Sequence, residues 1–115
     1  AGVDVIHASN RRFWEPEFEG SNLNLAGWTK KITGLPTITV GSVGLESDFI
    51  GFYQGEDEVK SAPIDDLVKR MDDKEFDMVA VGRALLSDPE WVNKVKEGRY
   101  EEVIPFSKKY AENYY

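Results

Sequence analysis

The chain reads as an α/β fold made of three strand–loop–helix units with parallel strands. Three observations predict it. Short runs rich in apolar and β-branched residues (Val3–Ser9, Thr37–Val40 and Asp77–Val81) alternate with longer segments of helical period. The loops after these runs are long, at 10–20, 41–62 and 82–88, whereas the joints into the next strand, Gly34–Leu35–Pro36 and Lys74–Glu75–Phe76, are short. Met78–Val81 is unbroken apolar sequence, as expected of a parallel strand covered on both faces.

In Val3–Ser9, Val5, His7 and Ser9 share one face, Ile6 and Ala8 the other. Residues 10–20 carry mixed charge, three aromatics and no helical or strand period, so they form a loop. Ser21 or Asn22 caps a helix running to about Thr33, with Leu25, Trp28 and Ile32 on one stripe. Lys30 and Lys31 suit its C-terminal end, Gly34 terminates it and Pro36 prevents continuation. Thr37–Val40 is the second strand and Gly41–Gly44 its turn. Residues 45–62 read as a long loop with at most one helical turn. Pro63 opens the next helix, in which Ile64, Leu67, Val68 and Met71 match the i, i+3, i+4, i+7 pattern. After the third strand comes a short helix, Arg83–Leu86, then Ser87–Asp88–Pro89–Glu90 as the start of another, with Trp91, Val92 and Val95 as its stripe and Gly98 at its end. A last helix is expected from Phe106 to about Asn113.

Composition narrows the function classes. The chain has 115 residues and no cysteine, which removes disulfides, thiolate metal sites and a cysteine nucleophile. One histidine cannot form a multi-histidine metal cluster. The net charge of −7 argues against nucleic acid as the main partner, though one phosphate needs only a local set of donors. No apolar run approaches the ~18 residues of a membrane span, and no secretory signal opens the chain, so a cytoplasmic protein without membrane contact is expected. The abrupt start at Ala1–Gly2–Val3 suggests a segment of a longer protein, and residues 1–115 are read as one such segment.

The chemistry concentrates in two turns. Asp77–Leu86 reads as a buried strand ending on Gly82, with Arg83 at the mouth of the turn and helix formers Ala84, Leu85 and Leu86 behind it. Thr37–Gly44 has the same form, with Gly41 and Gly44 around Ser42 and Val43. Strand, glycine, arginine and helix start together make a place for an anion, most plausibly a phosphate. Two architectures use such units, the doubly wound open sheet and the eight-fold barrel, and in both the ligand lies at the C-terminal ends of the strands. The barrel binds phosphate after its last two strands, at a short extra helix, which Arg83–Leu86 matches.

These residues resemble a known family. Ile6–His7–Ala8–Ser9, the Thr39–Leu45 turn and Val79–Leu86 followed by Asp88–Pro89 and Trp91 are similar to the C-terminal part of the old yellow enzyme family, over residues 1 to about 98. That family comprises FMN-dependent NAD(P)H oxidoreductases on a (β/α)8, or TIM, barrel. The resemblance implies that the three strands here are barrel strands six to eight. It implies FMN phosphate bound by Gly41, Ser42 and Val43 in one turn and by Gly82 and Arg83 in the other, with Arg83 also near the flavin. It further implies hydride transfer from NAD(P)H through FMN to an activated alkene or similar small-molecule acceptor. Family residues that hold the acceptor and donate the proton belong to strands absent from this chain, so no catalytic residue is assigned, and an isolated fragment is expected to be inactive and to self-associate through open sheet edges. Two alternatives stay open: a phosphate-binding barrel enzyme without flavin, and a non-catalytic self-associating module.

The remaining candidates have ordinary readings beside functional ones. His7 suits a strand-lining residue, Ser9 a structural hydroxyl at a strand end, and Phe13 and Trp14 either a pocket lip or an anchor for their own loop. Glu15, Glu17 and Glu19 read as solvated charge rather than a catalytic carboxylate pair. Phe106 and Tyr110 read as packing residues, with a flavin-edge contact as the functional alternative.

Overall fold

A computed structural model of the chain describes residues 2–45, 58–59 and 64–107. Along these run β1 (Ile6–Ser9), α1 (Leu25–Thr33), β2 (Thr37–Val40), β3 (Glu58–Val59), α2 (Asp65–Asp72), β4 (Met78–Val79), α3 (Arg83–Ser87), α4 (Trp91–Lys96), a 3-10 turn (Tyr100–Glu102) and β5 (Phe106–Ser107). They divide into two compact units, the first formed from 1–41 and 65–80, the second from 42–64 and 81–115. Pro63, Tyr110 and the helical turn expected within 45–62 lie outside the described residues.

The first unit carries the α/β layer. β1, β2 and β4 form a parallel sheet in that spatial order, with Ala8 beside Thr39 and Thr39 beside Val79. α1 packs on β1 and β2. The buried layer is made of small and hydroxyl-bearing residues: Ala8, Ala26, Gly27, Thr37 and Thr39. Buried threonines are tolerated because each hydroxyl is bonded: Thr37 Oγ1 donates to the Leu35 carbonyl at 3.0 Å and Thr39 Oγ1 accepts from Asn24 Nδ2 at 3.1 Å. On the opposite face His7, Ile38 and Met78 lie in register, and His7 and Met78 are exposed.

Several boundaries differ from the sequence reading, each for a physical reason. β1 begins at Ile6, not Val3, because its partner strand is preceded by Pro36, which accepts from the Ile6 N–H (3.1 Å) but has no N–H to continue the ladder. β4 is reduced to Met78–Val79, although Asp77 and Ala80 still donate to the Thr37 and Thr39 carbonyls, both at 2.9 Å. As the outer strand of the sheet it is not covered on both faces, and Met78 is 41% exposed. α1 begins at Leu25 with Asn24 as its cap, not Ser21 or Asn22. Its apolar stripe is not the buried one either. Ile32 is 76% exposed, while Ala26 and Gly27 face the sheet, where small residues allow a close approach. Trp28 instead meets Phe18 edge to face at 5.5 Å and lies 5.0 Å from Lys31 Nζ. In α2, Leu67 is buried but Val68 is exposed.

Asn24 ties three pieces of this unit together. Its Oδ1 accepts the Gly27 N–H at 2.8 Å, and its Nδ2 donates to the Phe13 carbonyl at 2.8 Å and to Thr39. The residue is completely buried. Asn24→Ala is expected to lower stability by about 2 kcal/mol, the lost cap plus a buried carbonyl left unpaired, measured by urea denaturation. A shift below about 0.5 kcal/mol would show that water replaces the amide. At the other end of the sheet Asp77 accepts from Lys30 Nζ (2.6 Å) and the Thr37 N–H (2.9 Å), which hold its carboxyl below the usual carboxylate range.

The second unit is held by tertiary bonds more than by regular structure. β3 pairs antiparallel with β5, Val59 beside Phe106. Glu58–Val59 is thus a strand where the sequence reads as loop, and Phe106–Ser107 is a strand where a helix is expected. The reason lies in Ile104. Its N–H donates to Asp88 Oδ2 (3.1 Å) and its carbonyl accepts from Ser87 Oγ (2.9 Å), which ties the chain down just before Phe106–Ser107 pairs with β3. Pro105 also holds Ile104 extended. Ser87 is therefore a tether and not a cap; Asp88 Oδ1 accepts the Glu90 N–H at 3.0 Å and opens α4, which starts at Trp91. In α4 Trp91 is buried and Val92 is exposed, so the expected stripe is only half realised.

Candidate functional site

Gly41 closes the first unit and the other candidates, Ser42, Val43, Gly82 and Arg83, belong to the second. Gly41 has φ 140°, and a Cβ there would lie 2.6 Å from the Asn10 carbonyl oxygen and 3.0 Å from the Phe13 nitrogen. Its carbonyl accepts the Phe13 N–H at 3.0 Å. Only glycine fits this close approach of two backbone segments. The same bond, with the Asn24 contact to its carbonyl, fixes Phe13, which is buried; Phe13 anchors its own loop and packs edge to face with Trp14 at 5.2 Å.

In the second unit Ser42 has φ 52° and Gly44 φ 73°, giving a tight turn in which the Leu45 N–H donates to the Ser42 carbonyl at 3.1 Å. Gly44 is required by Trp91, whose ring would come within 2.7 Å of a Cβ there. Val43 and Leu45 are buried beside it. Arg83, at the start of α3, points its guanidinium back to this turn, with Nη2 3.5 Å from Ser42 Oγ. The two residues are 41 positions apart, so the fold brings one half of each predicted turn to the other. Arg83 Cζ lies over the Phe106 ring, 5.8 Å from its centroid, and Phe106 is 1% exposed.

Gly82 differs from Gly41. Among the described residues, no atom would lie within 4 Å of a Cβ at Gly82. Its glycine is not demanded by the chain's own described atoms. Among the described residues the N–H groups of Val43, Gly82 and Ala84 donate to no acceptor. The two turns thus carry amides, a hydroxyl and a guanidinium, of which Arg83 and Ser42 are side by side, and these donor types are ones that suit an oxyanion.

The remaining candidates are placed apart from this set. His7 is exposed on the open sheet face. Ser9, Asn10, Arg12 and Leu25 line a cleft of about 260 Å³ at the C-terminal end of β1, where Arg12 pairs with Glu15 at 2.7 Å. Glu17 also lines it. No group of three or more histidine, cysteine or acidic residues able to hold a metal occurs among the described residues, and none of the described helices is long and apolar enough to cross a membrane. Sequence reasoning missed Asp88 as more than a cap. It is 1% exposed; burial works to raise its pKa, but the donors Lys94 Nζ (2.7 Å) and the Ile104 and Glu90 N–H groups outweigh it and hold the carboxyl below its ordinary value. The signal available was an acid followed by proline with a lysine six residues on, which local rules read only as a helix start.

No protein-family model matches the chain. It is 36% identical over 111 residues to an NADH oxidase of Thermoanaerobacter brockii, a match covering 90% of this chain and 14% of that protein. The chain thus spans a small part of the length of the curated relative it matches. It is distantly related to a segment of an oxidoreductase.

Proposed function

We propose that this chain is the phosphate-holding segment of an FMN-dependent NAD(P)H oxidoreductase of the ene-reductase type. In the whole protein the flavin would carry hydride from NAD(P)H to an activated alkene or a related small acceptor, and the chemistry would be the cofactor's. The observation that carries the reading is Arg83 turned onto Ser42. A strand-end guanidinium and a strand-end hydroxyl meet beside unpaired amides, as a phosphate monoester requires. Gly82 supports it, since no described residue would crowd a Cβ there, as a close-approaching ligand oxygen needs. The relationship to a segment of an NADH oxidase supports the redox class. The parallel sheet with one exposed face bearing His7 and Met78 suits part of a barrel, whose inward face is completed by other strands. Gly41, Ser42 and Val43 would hold the phosphate from one turn, Gly82 and Arg83 from the other.

The test is a titration of the full-length protein with FMN, followed by flavin fluorescence, for the unaltered protein and for Arg83→Ala. Loss of one charge-assisted contact is expected to weaken FMN about ten- to hundred-fold. Riboflavin, which lacks the phosphate, should bind both proteins equally. Unchanged FMN affinity in Arg83→Ala would overturn the assignment.

A further inference from the structure

α1 turns small residues inward and large ones outward. Ala26 and Gly27 are buried where the helix packs on β1 and β2, and Lys30, on that same side, reaches Asp77 next to β4. Leu25, Trp28 and Ile32 fall on the opposite side. Ile32 is 76% exposed, and Phe18, from the loop before the helix, is 58% exposed with its ring against Trp28 at 5.5 Å. A helix packed by one face ordinarily carries polar residues on the other. Here the outer face carries a phenylalanine, a tryptophan and an isoleucine together, and contiguous apolar surface of that kind marks an interaction site. All of it lies in the first unit.

The charges around the stripe are ordered. At the N-terminal end of α1 stand exposed Glu17 and Glu19, on either side of Phe18, and the Glu17 N–H donates to the Leu23 carbonyl at 3.0 Å. At the C-terminal end stands exposed Lys31, its Nζ 5.0 Å from the Trp28 ring centroid. An apolar middle with acids at one end and a base at the other is its own complement. A two-fold axis at Trp28 reverses the second stripe, so unlike ends meet and like ends stay apart.

We propose that the outer face of α1 docks a second copy of this chain, with the two helices antiparallel across Trp28. Ile32 of one copy then lies beside Leu25 of the other, and Lys31 of each faces Glu17 and Glu19 of its mate. The pattern fits a copy better than an unrelated partner because both halves of the contact are present on one surface. The surface is distinct from the sheet edges, and the proposal does not depend on the phosphate reading.

The test is sedimentation velocity of the full-length protein from about 1 to 100 μM, with circular dichroism to confirm that each variant is folded. A self-association step is expected. Ile32→Glu should raise its dissociation constant at least about thirty-fold, since the axis places the new charge in the contact twice. Lys31→Glu should raise it about three- to ten-fold, most at low salt, and adding Glu17→Lys and Glu19→Lys to that variant should restore the affinity to within about three-fold. If Ile32→Glu does not fold, the Lys31 variants decide. A protein that stays monomeric over this range, or one whose association ignores both Ile32→Glu and Lys31→Glu, overturns the proposal. So does a triple variant no tighter than Lys31→Glu alone, which would put the copies in another orientation. A monomer in which Ile32→Glu lowers the melting temperature also overturns it and assigns the stripe to another segment of the same polypeptide.

Discussion

Asp88→Ala is expected to destabilise the second unit by about 3 kcal/mol, because it removes the buried member of an ion pair and leaves partly buried Lys94 with only the Glu102 carbonyl as acceptor. Lys94 Nζ is 2.7 Å from Asp88 Oδ2, and the two side chains are 17% and 2% exposed. Asp88 does more than neutralise that charge. It receives N–H groups from Glu90, at the start of α4, and from Ile104, in the returning segment, so its loss also removes the acceptor of two partly buried donors. With an m-value near 2 kcal/mol/M, the urea midpoint should fall by about 1.5 M, followed by circular dichroism. A fall of less than about 0.5 M would mean that the carboxylate is replaced by solvent and that the corner is not closed by it.

The same residue sets an acid limit. Its carboxyl ionises below the ordinary value in the folded chain, against the usual value when unfolded. A depressed folded pKa contributes stability that is fully present above the unfolded pKa. That stability is lost as pH falls through the folded value, since the unfolded chain then takes up the proton first. Stability should therefore decline below about pH 4, and the decline should be shallower in Asp88→Asn. Asp77, lowered by its Lys30 hydrogen bond and then by the Thr37 N–H, acts in the same direction, so the acid slope is reduced by Asp88→Asn rather than abolished.

What could be read in the sequence follows from where each residue finds its partners. β2 starts and stops as expected, and Gly34 ends α1 with φ 70° and a bond back to the Lys30 carbonyl, because proline, glycine and β-branched residues act through their own backbone. Ser42 and Arg83 were each singled out because each stands beside a glycine after a strand; their approach to 3.5 Å is a tertiary fact that neither local pattern carries. Phe106 was read as helical because local propensity cannot reveal that Ile104 is bonded at both backbone groups by residues sixteen and seventeen positions away. The buried side of α1 was missed for a related reason. Periodicity weighs large apolar side chains, whereas this interface selects small ones, Ala26 and Gly27, over two satisfied threonines. Ser21 and Asn22, the expected caps, and Asn24, the actual one, are equivalent by local rules; the Phe13 carbonyl and Thr39 hydroxyl distinguish them.

Gly41→Ala is expected to cost about 3 kcal/mol of stability with no ligand present, from left-handed backbone strain and overpacking together. The atoms a methyl group would strike are backbone: the Asn10 oxygen at 2.6 Å, the Phe13 nitrogen at 3.0 Å and the Arg12 nitrogen at 3.1 Å. None can swing aside as a side chain would. The loop after β1 must retreat, and the Phe13-to-Gly41 and Asn10-to-Val40 hydrogen bonds, 3.0 and 3.3 Å, are strained with it. Gly82→Ala makes the contrast. Its methyl group would meet no described atom within 4 Å, so its cost in stability should stay below about 1 kcal/mol, and its effect should emerge only as weaker FMN binding. Two glycines that look alike in sequence, each closing a strand, would then be glycine for different reasons, one set by the chain's own backbone and one by the ligand's oxygen. Equal stability losses in the two variants, measured by denaturation without flavin, would show that Gly82 too is fixed by the fold, and the room beside Arg83 would lose its meaning as a phosphate seat.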